Sequence, residues 1–229
     1  MVSWIGAQSH VKSFAETKLL LAAHRLAQAL RSWSRFSKEE VFQKVRRFAQ
    51  ANYAREGVYL GAHLLVDKEP LDPLSISPDE YESFLTTVET ISPSVQFIFM
   101  VRSPEAVVSS IVNRKWGYSL RRQGAEERTV EEGITSWRAV NQLVSTIASK
   151  NNAYLCEFER LVEHPGEESA EIAQFLGLKN WGRFQPRETS EIVLDESDRQ
   201  RVWKETRDIR NKLEDVGISY VPSDRFIVE

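Results

Sequence analysis

The sequence predicts an α/β fold with a mainly parallel central sheet flanked by helices. Three observations predict it. The heptapeptide Val95-Gln96-Phe97-Ile98-Phe99-Met100-Val101 is almost wholly apolar and does not alternate, the pattern of a strand covered on both faces. Strand-like segments alternate with helical ones along the chain, an order that builds parallel sheets with helices on both sides. The 229 residues are 41% hydrophobic and 28% charged, an ordinary globular balance and enough chain for one sizeable core. No internal repeat, low-complexity tract or Pro/Gly linker interrupts it. Residues 1–229 are therefore expected to form a single domain, with a C-terminal helical segment from about residue 195.

Each element has its own signal. Leu19 to Trp33 carries apolar residues at i, i+3 and i+4 and reads as a helix. Ser37 with Glu40 three residues on is a capping-box signal, opening a helix to about Ala54. Val58 to Val66 is apolar and is expected to contain a strand ending near Asp67. Ser77, Pro78 and Glu80 offer an N-cap, a first-turn proline and an N3 carboxylate for a helix to about Thr90. After the apolar heptapeptide, Ser103 can cap and Pro104 can open a helix to about Lys115. A long helix is expected from Val130 to Ser149 and a short strand from Ala153 to Phe158. Glu167 to Leu176 reads as a helix stopped by Gly177, a usual residue just past a helix end. The charged stretch Asp195 to Val216 reads as one last helix ended by Gly217.

Composition narrows the function. A net charge of -3 gives no support for nucleic-acid or anionic-membrane binding over the whole surface, although it says nothing of local clusters. The single cysteine, Cys156, allows no intrachain disulfide, and its apolar neighbours mark it as an inert buried thiol. The four histidines, His10, His24, His63 and His164, are far apart in sequence, so no metal site is expected. No apolar run is long enough to span a bilayer. Gln8, His10, Lys12 and Glu16 break up any N-terminal signal segment, so a cytoplasmic location is the default expectation.

In a parallel sheet, ligands gather beyond the carboxyl ends of the strands, and Arg102 stands at that place. Its planar fork of donors suits a phosphate or sulfate. Ala106, Ser110 and Arg114 follow at steps of four and share one ridge of the next helix. A strand-end arginine, a helix N-terminus and a hydroxyl two turns in can together hold an anion. On spacing alone, Arg102 fits equally well a surface ion pair, and Ser110 an incidental helix serine.

Val101-Arg102-Ser103-Pro104, with Ser110 eight residues after the arginine, resembles the 3′-phosphate-binding segment of sulfotransferases. Three further segments occur in matching order. Glu16-Thr17-Lys18 and Asp67-Lys68-Glu69-Pro70 are similar to segments of the tyrosylprotein-sulfotransferase-like branch. Phe158-Glu159-Arg160-Leu161-Val162, followed by His164-Pro165 and Phe175-Leu176-Gly177-Leu178, resembles the family's late strand, turn and helix. The resemblance covers about Ala7 to Leu178. It implies transfer of a sulfuryl group from 3′-phosphoadenylyl sulfate (PAPS) to a hydroxyl-bearing acceptor, a small molecule, carbohydrate or peptide, leaving 3′,5′-ADP (PAP), with no metal. Carried over by position, Glu16 would be the general base and Lys68 would offset charge on the leaving phosphate. Arg102 and Ser110, with Arg114 on the same ridge, would bind the nucleotide. Read without the resemblance, Glu16 fits a first-turn carboxylate that stabilises a helix, and Lys68 a solvated loop lysine. Trp116, Trp137 and Arg138 are expected to serve packing rather than adenine stacking.

The chain departs from the family in its first part. No Gly-x-x-x-x-Gly or Arg-Ser-Gly-Thr pattern occurs, so the implied fold is a P-loop-NTPase-like sulfotransferase fold missing its first strand and phosphosulfate-binding loop. A shortened sequence is the preferred explanation; true loss of the loop and a strand supplied by a partner chain are the others. Phe158 stands where the family usually has tyrosine, and Lys18 where arginine is usual. Two rival readings remain: a non-catalytic nucleotide-binding or interaction protein on the same fold, and a P-loop kinase, which lacks its Lys-Ser/Thr loop here. Homodimerisation is left open, and no nucleic-acid partner or membrane span is expected.

Overall fold

The computed structural model describes residues 11–15, 18–33, 35–55, 64–68, 76–113, 129–148, 150, 152–179, 184–185 and 192–220. In chain order the elements are β1 (Val11–Ala15), α1 (Leu19–Ser32), α2 (Lys38–Arg55), β2 (Leu64–Lys68), a 3-10 turn (Pro78–Glu80), α3 (Tyr81–Ile91) and β3 (Phe97–Val101). There follow α4 (Pro104–Asn113), α5 (Val130–Ile147), β4 (Ala153–Glu157), α6 (Phe158–Glu163), α7 (Pro165–Phe175), α8 (Glu196–Glu205) and α9 (Arg207–Glu214). The described strands form two parallel pairs, β1 with β2 and β3 with β4. The chain divides into two compact units, Met1–Gln96 with Ser169–Gln185, and Phe97–Glu168 with Pro186–Glu229.

In the first unit, β1 and β2 pair from Val11 opposite Leu64 to Ala15 opposite Lys68. The sequence reading places no element at Val11–Ala15. Lys12 and Ser13 spoil its apolar pattern, and the strand is secured by a partner some fifty residues later rather than by local signal. The expected loss of a first strand and loop concerns the part ahead of the segment that ends in Glu16, where residues 1–10 lie outside the described residues. The expected strand within Val58–Val66 is observed as Leu64–Lys68, with residues 58–63 outside the described set. The capping box is present as expected: Ser37 N–H donates to Glu40 Oε2 at 2.8 Å, and Glu40 N–H to Ser37 Oγ at 3.3 Å. Pro78 opens a 3-10 turn rather than the helix itself, and Glu80 reaches back to accept from Ser77 N–H at 3.2 Å. Ala23, Ala27 and Leu30 of α1 meet Val41 and Val45 of α2 in the core, with Phe36, Phe48 and Ile91 packed around them.

His24 is fully buried in this unit. The Thr87 hydroxyl donates to Ser83 O at 2.9 Å, so toward His24 Nδ1, 3.2 Å away, it can only accept. The ring is therefore the Nδ1–H tautomer, and Nε2 is a buried lone pair with no hydrogen-bond partner. Burial holds its pKa below the usual 6.5, with Arg25 and Arg31 acting the same way and Glu80 opposing.

In the second unit, β3 and β4 pair in register from Phe97 opposite Ala153 to Val101 opposite Glu157. The strand is not covered on both faces along its whole length, because Met100 is 43% exposed. Ser103 caps α4 as expected, accepting from Ala106 N–H at 3.4 Å. α5 has a full capping box of Thr129 and Glu132. Val108, Ile134 and Val202 form the core between α4, α5 and α8. Gly133 permits the close approach: a Cβ there would lie 2.9 Å from Val108 Cγ1. Phe158 belongs to α6 rather than to the strand. In the first unit, Gly177 at φ 67° ends the helix before it, with Leu178 N–H donating to Ala173 O at 2.8 Å. The expected single last helix is two. It breaks at Thr206, whose hydroxyl donates back to Val202 O at 2.7 Å. Asp195 caps the first of them, and Gly217 at φ 92° ends the second.

Candidate functional site

Parallel pairing brings the two segments that follow β3 and β4 to one edge. Val101 lies opposite Glu157, so Arg102 and Phe158 are the next residues at that edge. The Arg102 guanidinium carbon sits 4.7 Å from the centre of the Phe158 ring, a cation–π contact that spreads the fork across an apolar platform. The Arg102 carbonyl accepts from Trp137 Nε1–H at 2.9 Å, which ties the turn to α5. Ser103 N–H donates to Glu159 Oε1 at 2.9 Å, which ties it to the start of α6. Both sides of the arginine are thus fixed by residues far away in sequence.

The helix N-terminus contributes less than its position suggests. Pro104 has no N–H, Ser103 N–H is taken by Glu159, and Ala106 N–H by the Ser103 hydroxyl. Of the two described candidates for an anion site, Arg102 is half-buried at the strand end and Ser110 is half-buried along α4. Its neighbour Ser109 is buried and engaged, accepting from Val193 N–H at 2.9 Å and from Asn113 Nδ2 at 3.2 Å. Trp137 is 2% exposed and stacks edge-on with Tyr220, centroids 5.9 Å apart, so it packs as expected. Arg138 is bound to Asp208 by two hydrogen bonds, of 2.6 and 2.9 Å, which also makes it structural.

Sequence reasoning missed the electrostatics at the end of β4. Glu157 is half-buried, and desolvation followed by the neighbouring Glu159 carboxylate pushes it up to about 7. Glu159 Oε2 and Tyr220 Oη are buried without a hydrogen-bond partner. Burial, then Glu159 and Glu157, pushes the Tyr220 phenol up. The apolar run from Ala153 to Cys156 meeting two carboxylates was the signal available. Cys156 is fully buried as expected, its thiol pushed up to about 12 by burial and then by Glu168.

The remaining candidates are placed only in part. Lys68 is the last residue of β2, opposite Ala15, the last of β1, so it stands at the carboxyl end of its pair. Glu16 follows β1 directly in the chain but lies outside the described residues, as do Arg114 and Trp116. Lys18 precedes α1 in a left-handed conformation, φ 55°, uncommon for a lysine. Among the described residues no group of three or more His, Cys, Asp or Glu side chains could hold a metal ion. No described helix is long and apolar enough to cross a membrane.

No family model matches the sequence, and no curated protein matches it. Solved structures do match. A sulfotransferase domain from the curacin biosynthetic pathway is similar at a TM-score of 0.55 and 15% identity, the match covering 92% of this chain and 91% of that one. A sulfotransferase domain from the Synechococcus PCC 7002 olefin synthase is similar at 0.51 and 19% identity, covering 93% of this chain and 88% of that one. At such identities the likeness establishes the fold: this chain has the α/β fold of sulfotransferase domains.

Proposed function

We propose that this chain is a sulfotransferase working as a single domain, of the tyrosylprotein-like branch, acting from PAPS on an acceptor hydroxyl. The observation that carries the reading is the Arg102 fork. It stands at the end of a parallel strand, laid on Phe158 with its carbonyl held by Trp137, in a chain with the fold of sulfotransferase domains. The residues present fit a nucleotide phosphate, because the apolar ring beneath Arg102 supports a planar set of donors suited to phosphate oxygens. PAPS would supply a sulfuryl group already activated by its anhydride link to phosphate. Arg102 and Ser110, helped by Arg114, hold the 3′-phosphate. Lys68 offsets the charge left on the departing phosphate. Glu16 takes the proton from the acceptor hydroxyl. A monoanionic sulfuryl group asks for positioning and charge stabilisation.

Calorimetry with PAP tests the binding half: Arg102→Ala should weaken affinity by about 1.5–3 kcal/mol, the worth of a charge-assisted hydrogen-bond partner. An unchanged affinity rejects the assignment. Transfer from labelled PAPS to phenol, sugar and tyrosyl-peptide hydroxyls tests the chemical half. Tight PAP binding with no transfer to any of them would favour the non-catalytic binding protein.

A further inference from the structure

We propose that the turn between α1 and α2 is a docking surface for an anionic bilayer, holding the protein on the membrane face without inserting a helix. Six of the chain's 30 lysines and arginines lie between Arg31 and Arg47, but only two of its 33 aspartates and glutamates, Glu39 and Glu40. The segment is strongly positive in a chain whose net charge is -3. The acidic residues are also occupied locally, Glu40 in the Ser37 capping box and Glu39 by Gln43 Nε2 at 2.7 Å.

The side-chain arrangement concentrates this charge around aromatic rings. Trp33 is 52% exposed and stacks on Phe36, centroids 6.2 Å apart. The Arg35 guanidinium lies over both rings, at 5.2 and 5.4 Å, and Lys44 Nζ lies 5.0 Å from the centre of Phe36. Arg31 and Lys38 flank Phe42 at 5.4 and 5.7 Å. Arg31, Arg35, Lys38 and Lys44 are all exposed. An indole at the tip of a helical turn, ringed by cations on long apolar stems, matches the headgroup layer: the ring settles among the glycerol groups while the cations meet phosphates.

A folded acidic protein is the competing partner, and the patch suits it less well. Protein interfaces need a desolvated apolar centre. Phe36 and Phe42 are already half-covered, which leaves Trp33 as the one exposed large hydrophobic of this segment. Lipid binding needs no such centre, because each cation acts on its own headgroup.

The test is co-sedimentation of the full chain with vesicles of phosphatidylcholine alone and of phosphatidylcholine with about 30% phosphatidylserine. Binding at low salt should favour the anionic vesicles by about tenfold or more and fall steeply as salt is raised. Arg35→Glu with Lys44→Glu should abolish that preference, and Trp33→Ser should weaken binding several-fold, with circular dichroism showing each variant folded. Lys38→Glu gives an independent variant, because a carboxylate at the first position of α2 favours the helix. Equal binding to both vesicle types overturns the proposal, as does anionic-vesicle binding insensitive to Arg35→Glu with Lys44→Glu. Absence of vesicle binding alongside charge-dependent binding to a polyglutamate peptide also overturns it, and assigns the patch to an acidic protein.

Discussion

Replacing Glu157 by glutamine should stabilise the protein at neutral and alkaline pH while leaving it unchanged near pH 4.5. The carboxyl ends β4 half-buried, with Glu159, Glu163 and Glu168 raising its pKa and Arg160 opposing them, and its value is up to about 7 from 4.5. The folded state thus holds the proton more tightly than the unfolded chain does. The stability this confers is fully present below 4.5 and is lost as pH rises through about 7, where an ionised carboxylate must sit in a partly dry, negative environment. At about 1.36 kcal/mol per pKa unit the full rise is worth roughly 3 kcal/mol. Solvent reaches a half-buried carboxylate, and screening cuts this to roughly 1–2 kcal/mol. Glutamine keeps the shape without the charge. Urea unfolding of parent and variant should give superimposable midpoints at pH 4.5 and a higher midpoint for Glu157→Gln at pH 8. A difference between the two proteins that stays constant with pH would refute the reasoning, since only a titrating group makes it vary.

Three other outcomes follow from the packing. His24 carries a folded pKa below its usual 6.5, so it contributes stability above that value that is lost as pH falls; the acid limb of a stability profile should flatten in His24→Phe. Its window opposes that of Glu157, and comparison of each variant with the parent separates the two. Gly133→Ala pushes a methyl to 2.9 Å from Val108 Cγ1, so thermal unfolding should show a loss of about 1–3 kcal/mol from overpacking between α4 and α5. Cys156, buried with its thiol up at about 12, should resist a disulfide reagent at pH 8 in the folded protein and react at once in denaturant. Rapid modification of the native chain would refute that burial.

Helix starts were the most legible part of the fold, because a cap is a local event. Ser37 with Glu40, and Ser103 ahead of Pro104, hold the hydrogen bonds their spacing implies. Elements fixed by distant partners were less legible. β1 is five residues with two polar ones near its start, and it depends on pairing with β2. The break at Thr206 was hidden for the opposite reason. Asp195 to Val216 is charged and helical throughout, and one hydroxyl turning back on Val202 O divides it.

The site shows how the two kinds of information combine. Arg102 was legible from position alone, as a guanidinium where a parallel strand ends. What the linear pattern does not contain is that Phe158 and Glu159, over fifty residues later, form the other half of the same turn. Parallel register dictates it: once Val101 faces Glu157, the residue after each strand must share an edge. The family's usual tyrosine would place a hydroxyl there. Phenylalanine withholds it and leaves a purely apolar ring under the guanidinium. The arginine stacks on that ring, its own carbonyl accepts from Trp137, and Glu159 clasps the adjoining Ser103. The backbone on either side of Arg102 is thus held by Trp137 and Glu159, a restraint that does not involve the side chain at position 158.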